Sequence, residues 1–250
     1  MEEVAEIVKR FNIRKIPKLT PEQIKEHDRQ LEEKLVNQYL RTKANTFLKK
    51  RSLFNEQGVL NHTFSQVEPV SDDFIELAKR ARKIAGEYAN GQRYNTILAG
   101  QSGAGKTMLA VCILNWVHSN AKEPVNCLFI SVSELSELAF SQYRKEEVNK
   151  QDRYNQIFKD VRDCDLLVLD DLGTESSMQY NSSEASNTIQ KSLFRIGDLM
   201  QTKSLIITTN NNEKQLEEIY NQKIISRLFT SNTEHILNFS NVKDYRKAHN

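Results

Sequence analysis

The chain is short of the residues that staple a fold or anchor it in a membrane. Among 250 residues there are three cysteines, Cys112, Cys127 and Cys164, each alone in an apolar run, with no CxxC pair and no histidines at metal spacing. A disulfide framework and a zinc module are excluded, and buried, reduced thiols are expected. The five histidines are equally dispersed, and no metal or catalytic role is assigned to them. No apolar stretch approaches the roughly 20 residues that a membrane span needs. The opening MEEVAEIVKRF is acidic and amphipathic, unlike a secretory leader, so a soluble cytoplasmic protein with no membrane partner is expected. Net charge is also scarce, at +2, which argues against a polycationic nucleic-acid coat.

The charge that exists is uneven. Residues 1–51 hold thirteen Lys/Arg against eight Asp/Glu, leaving 22 against 25 for the remainder. Val4, Ile7, Val8 and Phe11 sit at helical spacing ahead of Pro17. Thr20-Pro21-Glu22-Gln23 then starts a second helix: Thr20 can cap, proline suits the first turn, and Gln23 completes a capping box. That helix is expected to run to about Lys50. Its apolar residues Ile24, Leu31, Leu35, Tyr39, Phe47 and Leu48 make a stripe too thin for the centre of a core, which leaves two readings open: the helix lies on its own domain, or it docks a partner.

Residues 52–70 contain Gly58, Asn61 and Pro69 and read as a linker with a few apolar anchors. The expected organisation is therefore a helical extension over 1–51, a linker over 52–70 and a main domain over 71–250. Ser71 caps a helix bearing Phe74, Leu77, Ala81, Ile84, Ala85 and Tyr88 on one side, ending near Gly91. From Asn95 the pattern changes to short apolar runs at 96–99, 127–131, 166–170, 204–209 and 235–239, separated by helical lengths. Five buried strands alternating with helices imply an α/β fold on a mainly parallel sheet, with function at the strands' C-terminal ends.

The first of these runs leads into Gly100-Gln101-Ser102-Gly103-Ala104-Gly105-Lys106-Thr107, and an apolar helical stretch follows. This GxxxxGK[ST] pattern in its strand–loop–helix context is a phosphate-binding loop. Its glycines let backbone N–H groups close around phosphate oxygens, Lys106 reaches the β- and γ-phosphates, and Thr107 ligates magnesium. Trp116, on the helix that follows, is expected in the core. The run DLLVLDDLG delivers Asp170 and Asp171 to a strand tip, Asp170 to hold magnesium and Asp171 to orient the attacking water. Asn210, after the fourth strand, is placed to contact the γ-phosphate or that water. Arg227, in an apolar helical segment, reads either as a local ion pair or as a group that stabilises phosphate charge.

In this order the elements resemble the AAA+ ATPases, specifically the DnaC/DnaI-type helicase loaders and their IstB-like relatives. The resemblance covers roughly residues 45–247 through NTFLKKRSLF (45–54), Thr63-Phe64, GQSGAGKT (100–107), LLVLDDLGTE (166–175), IITTNNN (206–212), SRL (226–228) and DYR (244–246). It implies a P-loop NTPase fold of AAA+ type without a full C-terminal lid, carrying a small helical N-terminal extension. It implies ATP and Mg as cofactors, Asp170 as the Walker B acid, Asn210 as a sensor, Arg227 as an arginine finger acting across a subunit boundary, and Arg246 as a second sensor. The implied partners are a replicative DnaB-type helicase gripped by the N-terminal helices, single-stranded DNA, and further copies assembled on the helicase. Asp171 stands where many AAA+ proteins have glutamate, and slow hydrolysis suited to a switch follows. An IstB-like transposition ATPase working with a transposase shares these motifs, and a small-molecule P-loop kinase shares the loop. The segment 143–162, with mixed basic and aromatic residues, reads as a solvated helix or as part of a DNA path.

Overall fold

The structure is a computed structural model that describes residues 20–68, 71–141, 148–174, 183–230 and 232–242. The expected helix around Val4–Phe11, Tyr143 and Arg246 lie outside the described residues.

Helix α1 (Pro21–Arg51) starts where the capping box puts it: the Thr20 amide donates to Gln23 Oε1 at 2.9 Å and the Gln23 amide to Thr20 Oγ1 at 3.3 Å. The chain forms two compact units, residues 1–40 and 41–250. In the first, Ile24, Leu31, Leu35 and Tyr39 are exposed. In the second, Ala44 and Leu48 are buried and Phe47 packs against a core cluster. The compact body thus begins within the helix.

The described segment after α1 is anchored at several points. Leu53 bridges to Ile130, its amide donating to the Phe129 carbonyl and its own carbonyl accepting from the Ser131 amide, both at 2.8 Å. Val59 and Phe64 are buried. Arg153 donates to the Arg51 carbonyl and, at 3.1 Å, to the buried carboxylate of Asp160. A charge this deep needs such pairing, so the end of α1 is fastened to the body at two points.

Helix α2 (Asp72–Ala89) has Ser71 Oγ accepting from the Phe74 amide and buries all six residues expected on its inner side. Then follow β1 (Asn95–Ala99), α3 (Lys106–Asn120), β2 (Cys127–Ser131), α4 (Val132–Ser141), α5 (Val148–Asp163), β3 (Leu166–Leu172), α6 (Ser183–Met200), β4 (Ser204–Thr209), α7 (Glu213–Ile219), α8 (Gln222–Leu228) and β5 (Ile236–Asn238). The sheet order is β2-β3-β4-β1-β5, and every pairing is parallel. One face packs α2 and α3 over Leu98, Phe129, Val168 and Ile206; the other packs α4, α5 and α6 over Leu128, Ile130, Leu167 and Ile207. Alternate strand residues therefore serve opposite cores, which is why the strands read as continuous apolar runs.

Two details differ from expectation. Trp116 is 42% exposed, edge-on to Phe64, because the last turn of α3 emerges from the core, with Ser119 and Asn120 exposed as well. Within 143–162, the described aromatics Tyr154 and Phe158 are buried against one another, so they are unavailable to stack on bases. The three cysteines are buried as expected, and burial pushes the Cys112 and Cys164 thiols up to about 12.

Candidate nucleotide-binding site

The loop from Gly100 to Gly105 leaves the C-terminal end of β1, next to β4 and β5. Gly100 has φ 145°, and a Cβ there would stand 2.8 Å from Phe239, so both conformation and space demand glycine. Gly105 precedes α3 at φ 87° and packs against the Phe74 ring. Gln101 and Ser102 are exposed on the loop, Gly103 is half-buried and Ala104 is buried. The start of α3 adds free backbone donors and a positive dipole end to the loop's own amides, which together suit an anion.

Lys106 is buried, and its ammonium donates to the carbonyls of Gly100 at 2.9 Å and Gln101 at 2.7 Å and to Asn210 Oδ1 at 2.7 Å. Asn210 is thereby brought to the loop from the neighbouring strand. Thr107 Oγ1 donates to Asp170 Oδ1 at 2.8 Å, and Thr208 Oγ1 to the same oxygen at 2.7 Å. Lys106, Thr107, Asp170 and Asn210 thus converge at one end of the sheet.

The pair Asp170-Asp171 poses a geometric problem, since neighbours on a strand point to opposite faces. A register shift resolves it. Leu169 pairs with Ile207 and Leu172 with Thr209, so both acids oppose Thr208 alone. Asp171 takes a left-handed backbone at φ 58°, and its amide donates to Thr208 Oγ1 at 2.8 Å. Aspartate tolerates this conformation better than most residues. Thr208, fully buried, therefore serves both acids. Sequence reasoning passed over it; the available signal was a hydroxyl near the end of an apolar strand, two residues before Asn210.

Burial, and then the neighbouring Asp171 charge, push the Asp170 carboxyl up to about 6. A magnesium ion fits such a place. It prefers hard oxygen ligands, takes one or two from protein and the rest from phosphate and water, and would offset the desolvated charge. Thr107 and Asp170 are the residues that would hold it. The described residues contain no cluster of three or more His, Cys, Asp or Glu suited to a metal, and a phosphate-bridged magnesium needs none.

The structure does not bring Arg227 to this group. The side-chain amide of Asn95, at the start of β1, donates to the carbonyls of Arg227 and Leu228, placing that corner one strand length from the loop, roughly 16 Å at 3.3 Å per residue. There Arg227 Nε donates to Asp198 Oδ1 at 2.5 Å, and its guanidinium carbon lies 4.2 Å from the centroid of the Phe194 ring.

Comparison with known proteins points the same way as the geometry. Residues 70–245 match the family described as IstB-like ATP binding protein. The chain belongs to the IstB-like ATP-binding family. It is also 22% identical over 195 residues to the replicative helicase loader DnaC of Escherichia coli K12, covering 76% of this chain and 74% of that one. Its fold matches that of the crystal structure of DnaI with a TM-score of 0.52 at 20% identity, over 78% of this chain and 96% of that one. A putative primosome component from Streptococcus pyogenes serotype M3 gives a TM-score of 0.51 at 15% identity, over 78% and 94%. The fold of this IstB-like chain is that of a P-loop NTPase of the AAA+ type, and no helix among its described residues is long and apolar enough to cross a membrane.

Proposed function

We propose that this protein is an ATP-dependent helicase loader of DNA replication, acting in the cytoplasm on a replicative DnaB-type helicase and on single-stranded DNA. The observation that carries the reading is the similarity to DnaC along about three quarters of both chains, joined to a phosphate loop whose lysine already meets the neighbouring strand's asparagine. The exposed stripe Ile24, Leu31, Leu35 and Tyr39 supports a docking role for residues 1–51, because such a row on a charged helix suits a partner's apolar groove.

The chemistry assigned to the site is hydrolysis of ATP to ADP and phosphate. Loop amides and Lys106 bind the phosphates, while Thr107 and Asp170 hold magnesium, which when bound neutralises phosphate charge. Asp171 orients and polarises the attacking water, and Asn210 leaves Lys106 for the γ-phosphate or that water. Arg227 lies too far to serve its own site, which supports a role at the site of a neighbouring copy. ATP then reports assembly, and the isolated chain turns over slowly.

The test is a pull-down of the host's replicative helicase with the full chain and with residues 1–51 removed, alongside ATPase assays with and without helicase and single-stranded DNA. Capture by the full chain only, with stimulated turnover, is expected. Undiminished capture after the deletion overturns the assignment of residues 1–51. Capture of a transposase instead favours the transposition reading, which the family description keeps in view. Turnover that depends on a metabolite and ignores helicase and DNA favours a kinase.

A further inference from the structure

Helix α6 presents Phe194, Gly197 and Asp198 at positions i, i+3 and i+4, hence on one face, and all three meet Arg227. The Phe194 ring lies beneath the guanidinium at 4.2 Å, and Asp198 Oδ1 accepts from Nε. A Cβ on Gly197 would stand 2.9 Å from Arg227 Cβ, so only glycine admits this close approach of α8. On the fourth side, Nη1 donates to the Lys223 carbonyl at 3.0 Å. Nη2 makes no hydrogen bond among the described residues. Arg227 and Asp198 side chains are 27% and 42% exposed, and a pair so exposed contributes little to stability. The construction orders the arginine far more than stability requires.

We infer that Phe194, Gly197 and Asp198 are positioning residues that hold Arg227 with Nη2 directed outward, ready for the γ-phosphate bound by an adjacent copy. The inference rests on the proposed reading of Arg227 as a group acting in trans. An arginine gives up considerable rotamer freedom when it is fixed. A cradle that fixes it before assembly removes that cost from the reaction, and Nη2 can reach a phosphate while Nε and Nη1 keep their partners.

The experiment uses the full-length chain with the host's replicative helicase, ATP and magnesium. Asp198→Ala should lower the stimulated kcat about tenfold, the scale of one arginine's lost ordering, with KM for ATP unchanged. Asp198→Asn keeps an acceptor oxygen and should recover much of the loss, while Phe194→Leu should fall between. Mixing Asp198→Ala with Lys106→Ala should restore turnover, because the first has an intact site and the second an intact cradle. Wild-type rates for Asp198→Ala and Phe194→Leu, where Arg227→Ala is inactive, overturn the cradle alone. Failure of the mixture to recover also overturns it, by placing the defect in the variant's own site. A fully active Arg227→Ala, or a wild type that the helicase does not stimulate, overturns the reading beneath it.

Discussion

The two ends of the sheet treat charge in opposite ways. At the C-terminal end, Lys106 and Asp170 are buried and joined to their surroundings by hydrogen bonds of 2.7–2.9 Å through the Gly100 and Gln101 carbonyls, Asn210, Thr107 and Thr208. At the N-terminal end, Arg227 and Asp198 remain partly exposed, paired across two helices. Desolvated charges are strongly coupled to anything that binds beside them, whereas exposed charges are screened and act through orientation. On the proposed reading, the first end binds the nucleotide and the second serves a neighbour.

The largest expected effect lies at the buried end. Lys106→Ala removes the cation that holds Asn210 and that would face the phosphates, and ATP binding by calorimetry should weaken at least a hundredfold, in line with charge-assisted contacts in a water-poor site. Retention of near-normal affinity would break the comparison at its root. Asp170→Asn comes next: ATP binding survives, but magnesium-dependent turnover should fall by about two to three orders of magnitude. Turnover within a few fold of wild type would remove Asp170 from the metal site.

Asp170 also makes the buried end sensitive to pH. Its carboxyl is raised to about 6 against an unfolded value near 4, so the folded chain holds that proton more tightly than the unfolded one. Its contribution to stability is fully present below about 4 and is lost as pH rises through about 6. Magnesium competes with the same proton. The gain in Tm produced by ATP with magnesium should therefore shrink below pH 6 and be flat above it. Asp171→Asn removes the neighbouring charge that helps raise Asp170, so the midpoint should move to lower pH. A midpoint unchanged in that variant would show that the two acids do not share the site.

Much of this arrangement was legible in the sequence, and the boundary of legibility is physical. Capping at Thr20 and Ser71, the loop at Gly100–Thr107 and the five strands are dictated by residues close in sequence, and each stands where it was expected. What was not legible depends on register between distant segments. Neighbouring residues Asp170 and Asp171 both stand against Thr208, 38 and 37 residues away, only because a bulge interrupts the register of β3 and β4. The fastening of Arg51 and Leu53 to α5 and β2 likewise joins residues far apart in the chain, with no local signal. Trp116 failed for a simpler reason: an apolar helix whose last turn leaves the core looks the same in sequence as one buried along its whole length.

Thr208 gives the smallest of these effects and the most selective test. Thr208→Val keeps the shape but removes the hydroxyl that donates to Asp170 and accepts from the Asp171 amide. The fold should lose about 1–3 kcal/mol, the cost of leaving a buried donor unpaired, read from denaturant unfolding. That loss alone would mark a packing residue. Because the Thr208 hydrogen bond lowers the Asp170 pKa, its removal should also raise the pH midpoint of magnesium binding, the opposite of the shift expected for Asp171→Asn. A stability loss with an unmoved midpoint would reduce Thr208 to a structural part of β4. Shifts of opposite sign in the two variants would make the bulge the device that couples both acids to one metal.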